Sequence, residues 1–450
     1  MNLQEEAREL LNAPGTFIRK GYGLAAETVK RRHLVPKSIL VGVIAGLTGI
    51  GLRTGTEIVL EHRLHYFRSL GQAGWFCAAG VGAVFGFLAV WVIRRFCKEA
   101  AGGGMSHLQD AIDHDLPVPW WRLIWVKTVS LFAVSIAGMG GGPEAPAIHI
   151  GGAIGKGTAE TLRVKQGEGE HRALMSAGAA AGLSAAFNAP LTGLVFALEE
   201  LQGNFDSKLL VSALLASVSA DIVGRQLVGG FPVFTRLHEL PAPDMHALPF
   251  AILLGLVAGI LGVFINRQVV RAARAGASAT SDRMRMALGA LVGAVGGALS
   301  VGAIPGMSGI AGGGVEMIRF SFTEHPSLHL LGLLFIARLV STIFFTQTGA
   351  AGGFLIPILA LGAICGRALG DLVAPTFPEW VPHPGVIAVL GMGAFFSASI
   401  RAPLTGLVLM LELTGNYGYM LPSLVACLTA HIVADESGDP PVYHALRHKH

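Results

Sequence analysis

Ala189-Pro190-Leu191-Thr192-Gly193-Leu194-Val195 recurs unchanged as Ala402-Pro403-Leu404-Thr405-Gly406-Leu407-Val408, at an offset of 213 residues. The match widens on both sides. Gly178, Ser184 and Ala185 meet Gly391, Ser397 and Ala398, and Glu199 meets Glu412. Upstream, Pro146 to Gly155 resembles Pro357 to Gly366 at an offset of 211, and Gly102-Gly103-Gly104 pairs with Gly312-Gly313-Gly314. A seven-residue identity containing Pro and Thr does not arise by chance from Gly/Ala-rich sequence. Three matched blocks in one order predict two related halves, residues 34–230 and 248–443. Residues 1–33 read as a preceding cytoplasmic segment and 444–450 as a basic cytoplasmic tail.

Composition fixes the class of these halves. Of 450 residues, 52% are hydrophobic and only 14% charged, against about 25% charged in a typical soluble domain. That excludes disorder, which needs polar, charged sequence. Cys77, Cys97, Cys365 and Cys427 are solitary, which excludes a disulfide scaffold or a cysteine metal site. Gly71–Ile93, Ala173–Leu198, Met286–Val315 and Leu339–Gly366 carry no charged residue. Each reaches the roughly 20 residues that cross a bilayer core. The fold expected is therefore an all-α polytopic membrane protein built from two helical repeats.

Other apolar runs, such as Thr128–Pro143 and Ala402–Leu411, are too short to span and predict broken helices around a buried site. Gly102–Gly104, Gly140–Pro143 and Gly349–Phe354 each read as an unwound linker feeding a helix N-terminus. Such a terminus presents unpaired N–H groups and a partial positive charge of about +0.5. Several of them converging would hold an anion.

Charge sets the expected topology. Met1–Asn12 has no apolar core and is no signal peptide. Arg19 to Arg32, Arg94 to Lys98, a central loop with Arg267 to Arg285, and Arg447 with Lys449 are all basic. By the positive-inside rule these lie in the cytoplasm, as do both termini; the membrane expected is the cell's inner (plasma) membrane. A loop with Arg63 and Arg68 falls outside. The net charge of +4 follows from topology, and no nucleic-acid partner is expected.

Two carboxylates stand out. Glu144, in Gly-Gly-Gly-Pro-Glu-Ala-Pro, lies deep in uncharged sequence. Burying it in a membrane costs on the order of 3 kcal/mol or more, which marks it as functional. At a helix N-terminus it competes with an anion for the same N–H groups and leaves when protonated. That is a gate. Glu199 and Glu200 end the segment beginning at Pro190. Glu199 has the counterpart Glu412, whereas Glu200 meets Leu413, so Glu200 is peculiar to the first half. Three weaker patterns carry no function: a phosphate-loop likeness at Gly151–Gly157 lacking Ser or Thr after Lys156, Ser106-His107 without a triad, and His448-Lys449-His450, a basic tail.

These residues resemble the CLC family of chloride channels and proton-coupled chloride transporters. Gly178–Glu200 carries the strongest likeness. Gly142-Pro143-Glu144-Ala145-Pro146 and Gly353-Phe354-Leu355-Ile356-Pro357 match two further family motifs, and Tyr443 a third. The resemblance implies an inverted-topology repeat of broken and tilted helices, dimeric, with one pore per subunit. It makes Glu144 the external gate and Glu200 the internal proton-transfer glutamate. Gly103, Phe354, Leu355 and Tyr443 fall on the anion-binding positions. The family's serine is here Gly103, and Pro143 stands where the family has Arg or Lys. The function expected is a proton-coupled anion antiporter, with chloride as the first candidate and a passive anion channel as the alternative. No enzymatic role, metal or cofactor is expected. The partners implied are the anion, protons, the lipid bilayer and a second copy of the chain.

Overall fold

The computed structural model describes residues 3–114, 116, 118–165, 169–202, 207–230, 243, 245–278, 281–323, 326–381 and 383–447. Residues 448–450 of the expected tail lie outside the described residues. In chain order the helices are α1 (Leu3–Ser69), α2 (Gln72–Phe96), α3 (Met105–His114), α4 (Trp120–Ala137), α5 (Glu144–Thr161), α6 (Gly169–Phe187), α7 (Pro190–Phe196) and α8 (Ser207–Val228). There follow α9 (Leu248–Ser278), α10 (Asp282–Val301), α11 (Val315–Thr323), α12 (Leu328–Thr348), α13 (Leu355–Val373), α14 (Pro384–Ile400), α15 (Pro403–Thr414), α16 (Met420–Asp435) and α17 (Val442–Ala445). Among the described residues nine helices are long and apolar enough to cross a membrane.

The packing occurs twice. α5 lies on α6, α6 on α8, and α1 against both α6 and α8; α13, α14, α16 and α9 repeat the arrangement. Glycine sets the distance at matched positions. A Cβ on Gly151 would meet the Gly178 carbonyl oxygen at 2.1 Å, and one on Gly362 would meet that of Gly391 at 2.4 Å. With no side chain between them the backbones touch, the close approach that small residues permit in membranes.

Several charges expected in loops sit elsewhere. Arg63 is buried in α1, where it donates to Ile136 O, Gly297 O and Ser300 Oγ. Arg267 to Arg274 close α9, and Arg283 and Arg285 open α10. The helices extend beyond their apolar runs because Arg and Lys are good helix formers. Gly151–Gly157 is an interior stretch of α5, not a phosphate loop.

A junction of three linkers as the candidate functional site

The three glycine linkers do end in helices: Gly102–Gly104 feeds α3, Gly140–Pro143 feeds α5, and Gly349–Phe354 feeds α13. They meet. Gly142 and Gly353 form an isolated antiparallel bridge, with N–H···O distances of 3.1 and 2.9 Å. Gly102 N–H donates to Gly349 O, and Gly352 N–H donates to Gly102 O, each at 3.3 Å. A Cβ on Gly103 would lie 3.0 Å from Ala145 Cβ and 3.7 Å from Gly353 Cα. The starts of α5 and α13 are therefore held against the linker before α3. Each start leaves first-turn N–H groups without helical acceptors.

Two buried cations, unnoticed in the sequence, tie this junction. Lys127 donates to Ala100 O at 3.0 Å and Gly102 O at 2.9 Å. Arg338 donates to Gly309 O, Ile310 O and Gly312 O at 3.0 to 3.2 Å, and to Gly140 O at 2.7 Å. Both side chains are wholly buried. Their partners are carbonyls, so their positive charge is solvated but not neutralised. The signal was present: 127 and 338 differ by 211, the offset of the surrounding block.

Glu144 opens α5 directly after Pro143 and is 5% exposed. One oxygen, Oε2, has no hydrogen-bond partner among the described residues. A Cβ on Gly142 would meet that oxygen at 2.2 Å, so a side chain at 142 would push the carboxylate out of this position. Phe354 caps α13 and Leu355 begins it. The Phe354 ring lies 5.1 Å from that of Tyr443. Tyr443 is buried, and its hydroxyl likewise lacks a partner among the described residues. Ser106 Oγ fastens the start of α3 to Tyr443 O at 2.9 Å.

Cavities approach from two ends. One of about 440 Å³ is lined by Glu144 and by Arg53, Glu57 and Glu61 of α1. Another of about 520 Å³ is lined by Gly103, Phe354, Arg94 at the end of α2 and Lys98 just beyond it. Along α4, Phe132 and Ile136 meet Gly55 and Arg63 of α1, whereas Ser130 and Ala137 meet Ala89 and Gly82 of α2. α1 and α2, joined by a two-residue turn, therefore run in opposite directions, and their C-terminal ends point to opposite sides of the molecule.

Glu200 stands apart from the junction. A π-helix, Ala197–Gln202, continues α7 and carries both Glu199 and Glu200. Such turns mark functional positions because they re-aim side chains within a helix. Gln109, also missed in the sequence, donates to Glu200 Oε1 and to its backbone oxygen, each at 3.0 Å. Next to Gln109, Arg447 pairs with Asp110 at 2.7 Å and Asp113 at 2.6 Å. Burial works against the Arg447 charge, but the two carboxylates outweigh it and hold its pKa above the ordinary arginine value. Glu199 turns elsewhere, to the start of α15.

The family profile described as voltage gated chloride channel matches residues 85–435. The H(+)/Cl(-) exchange transporter ClcA of Vibrio parahaemolyticus is 36% identical over 417 residues, covering 91% of this chain and 88% of that protein. The transporter of the same name from Yersinia pseudotuberculosis is 34% identical over 422 residues, covering 90% and 85%. Among solved structures, a slow cyanobacterial Cl-/H+ antiporter superposes with a TM-score of 0.84 at 30% identity, covering 92% of this chain and 96% of that one.

Proposed function

The chain belongs to the voltage gated chloride channel family, and from that membership we propose that it exchanges a small anion for protons, with chloride as the first candidate. One observation carries the reading: a buried carboxylate, Glu144, stands where linkers from both matched halves meet, lining one cavity while a second reaches the same junction at Gly103 and Phe354. The relatives named as exchange transporters support the choice of chloride and protons.

The anion is held by the first-turn N–H groups at Phe354 and Leu355, with the Tyr443 hydroxyl as a donor and Gly103 contributing backbone alone. Lys127 and Arg338 supply a positive potential without forming a salt bridge that would trap the anion. Glu144 is the gate. As a carboxylate it occupies the place an anion would take at the start of α5; protonated, it loses its attraction for those N–H groups and yields. Glu200 delivers protons from the inner side, held by Gln109. A glutamate in that place argues against a passive channel of the same fold. The chain works as two inverted repeats in the inner membrane, both termini cytoplasmic. It pairs with a second copy through α7, α8, α15 and α16.

The test is purified protein in liposomes under an outward anion gradient, with anion efflux and proton uptake recorded together. Proton uptake in fixed proportion to efflux is the expected result. Efflux without proton movement would leave a passive anion channel.

A further inference from the structure

Where α2 ends and α4 begins, five cations line one groove of about 640 Å³: Arg94, Arg95, Lys98, Arg122 and Lys156. Glu99 and Glu160 line it too. Arg94 is engaged by Asp282 at 3.5 Å, and Lys156 is buried with Glu160 at 3.8 Å. The exposed positive charge is therefore carried by Arg95, Lys98 and Arg122, beside the exposed carboxylates of Glu99 and Glu160. α4 begins at the groove after Pro119 with no side-chain cap, so its N-terminal partial charge has the same sign as the cations.

The depth of this groove in the membrane can be read from its surroundings. Two apolar spans, Gln72–Phe96 and Trp120–Ala137, end here. Phe96 packs edge-on against Trp91 at 5.8 Å and Trp125 at 5.1 Å, and the Arg95 guanidinium lies 5.5 Å from the centre of the Phe96 ring. Trp121 is 65% exposed. Aromatic rings at span ends sit at headgroup level. The cations therefore face phosphates of the leaflet, on the cytoplasmic side by the charge rule.

We propose that this groove binds the headgroup phosphate of an anionic phospholipid, whose acyl chains lie along the Trp91–Phe96–Trp125 face. Charge and depth select this occupant. With five cations against two carboxylates the groove favours a headgroup of net negative charge over a zwitterionic one, which brings a cation of its own, and a free anion has no chain to lay on the aromatic face. Arg94, Lys98 and Glu99 also line the cavity leading to Gly103, so the bound headgroup alters the charge at that cavity's mouth.

Native mass spectrometry of the detergent-purified full chain tests this, with phosphatidylglycerol and phosphatidylcholine of identical chains as probes. Wild type is expected to retain phosphatidylglycerol about tenfold better or more, since each cation at an anionic surface contributes on the order of fivefold. The double variant Arg95→Gln/Arg122→Gln should lose most of that preference, and Arg95→Lys/Arg122→Lys should keep it. Both residues are exposed, so folding is expected to survive, and an unchanged melting temperature checks that. Equal retention of the two lipids by wild type, or an undiminished preference in the Gln variant, overturns the proposal. So does displacement of phosphatidylglycerol by millimolar inorganic phosphate, which would make the groove a site for soluble anions. None of these readouts depends on transport.

Discussion

Glu199 and Thr405 are joined through one carboxylate, which accepts from the Thr405 N–H at 2.8 Å and from its hydroxyl at 2.7 Å. The same carboxylate accepts from Leu404 N–H at 3.1 Å. The matched relationship runs the other way. Glu412 accepts from Leu191 N–H, Thr192 N–H and the Thr192 hydroxyl at 2.7 to 2.9 Å. Each glutamate thus caps the Pro-Leu-Thr-Gly helix of the other half. Capping interactions contribute about 1 kcal/mol, more when the acceptor is charged. Glu199→Gln keeps one acceptor oxygen but loses the charge. We predict a loss of about 1–2 kcal/mol in unfolding stability and an unchanged proton-to-anion ratio. A variant of full stability with broken coupling would contradict this assignment.

Glu200, one residue on, has no counterpart in the other half and no capping duty. Its contact is Gln109, a side chain that can donate to it without carrying charge. Glu200→Gln is therefore expected to leave the fold intact. Anion movement should remain measurable while coupled proton movement falls to background in the liposome assay. If Glu199→Gln abolished proton transport and Glu200→Gln did not, the two roles would be exchanged.

Glu144→Gln removes the titratable group while nearly preserving the volume beside Gly142. Anion flux should persist, lose most of its pH dependence and drive no protons. The sign follows from the gate: protonation opens wild type, so wild-type flux rises as pH falls, whereas the amide is already neutral at every pH. Flux against pH for the two proteins decides it. Uphill proton pumping by the variant would remove Glu144 from the mechanism.

Much of the site could be read from residues in a row, and the remainder depends on residues far apart. Pro143 and Pro357 with their preceding glycines marked helix starts because Pro and Gly act locally. Glu144 stood out because a membrane carboxylate is costly wherever the chain takes it. The bridge between Gly142 and Gly353 was invisible, since nothing local says which two linkers pair. Lys127 and Arg338 were overlooked for the opposite reason. Each bounds an apolar run and so reads as its edge, yet the carbonyls that solvate each one come from linkers elsewhere in the chain. The capping role of Glu199 was likewise hidden, although its match to Glu412 already separated it from Glu200.

Assembly gives a prediction that rests on exposed surface. Leu191 on α7, Ile222 on α8, Leu404 on α15 and Ile432 on α16 are each 45 to 57% exposed. α7 also packs against α15 within the chain, so these helices are neighbours. Their faces are expected to pack dry against a second copy. Cross-linking in membranes and mass in mild detergent should both report a dimer. A monomer by both measures would leave these faces to lipid.

Selectivity at Gly103 is the sharpest test of the anion site. A serine hydroxyl there would donate one hydrogen bond to a dehydrated anion, and glycine has no side-chain donor. Hydrogen bonds to charged groups contribute roughly 1.5 to 3 kcal/mol. If about 1.4 kcal/mol of that distinguished two anions, preference would shift about tenfold. Wild type should therefore discriminate weakly between chloride and nitrate. The geometry adds a condition. A Cβ at 103 would lie 3.0 Å from Ala145 Cβ, tight enough that the start of α5 must give by a few tenths of an ångström. Gly103→Ala imposes the same crowding without a hydroxyl and so separates the two effects. Both variants should slow transport, while only Gly103→Ser should sharpen chloride over nitrate, measured by competitive efflux. Equal selectivity in the Ser and Ala variants would show that crowding, not the hydroxyl, is what position 103 controls. Strong chloride preference in wild type would show that the backbone at the junction selects the anion unaided.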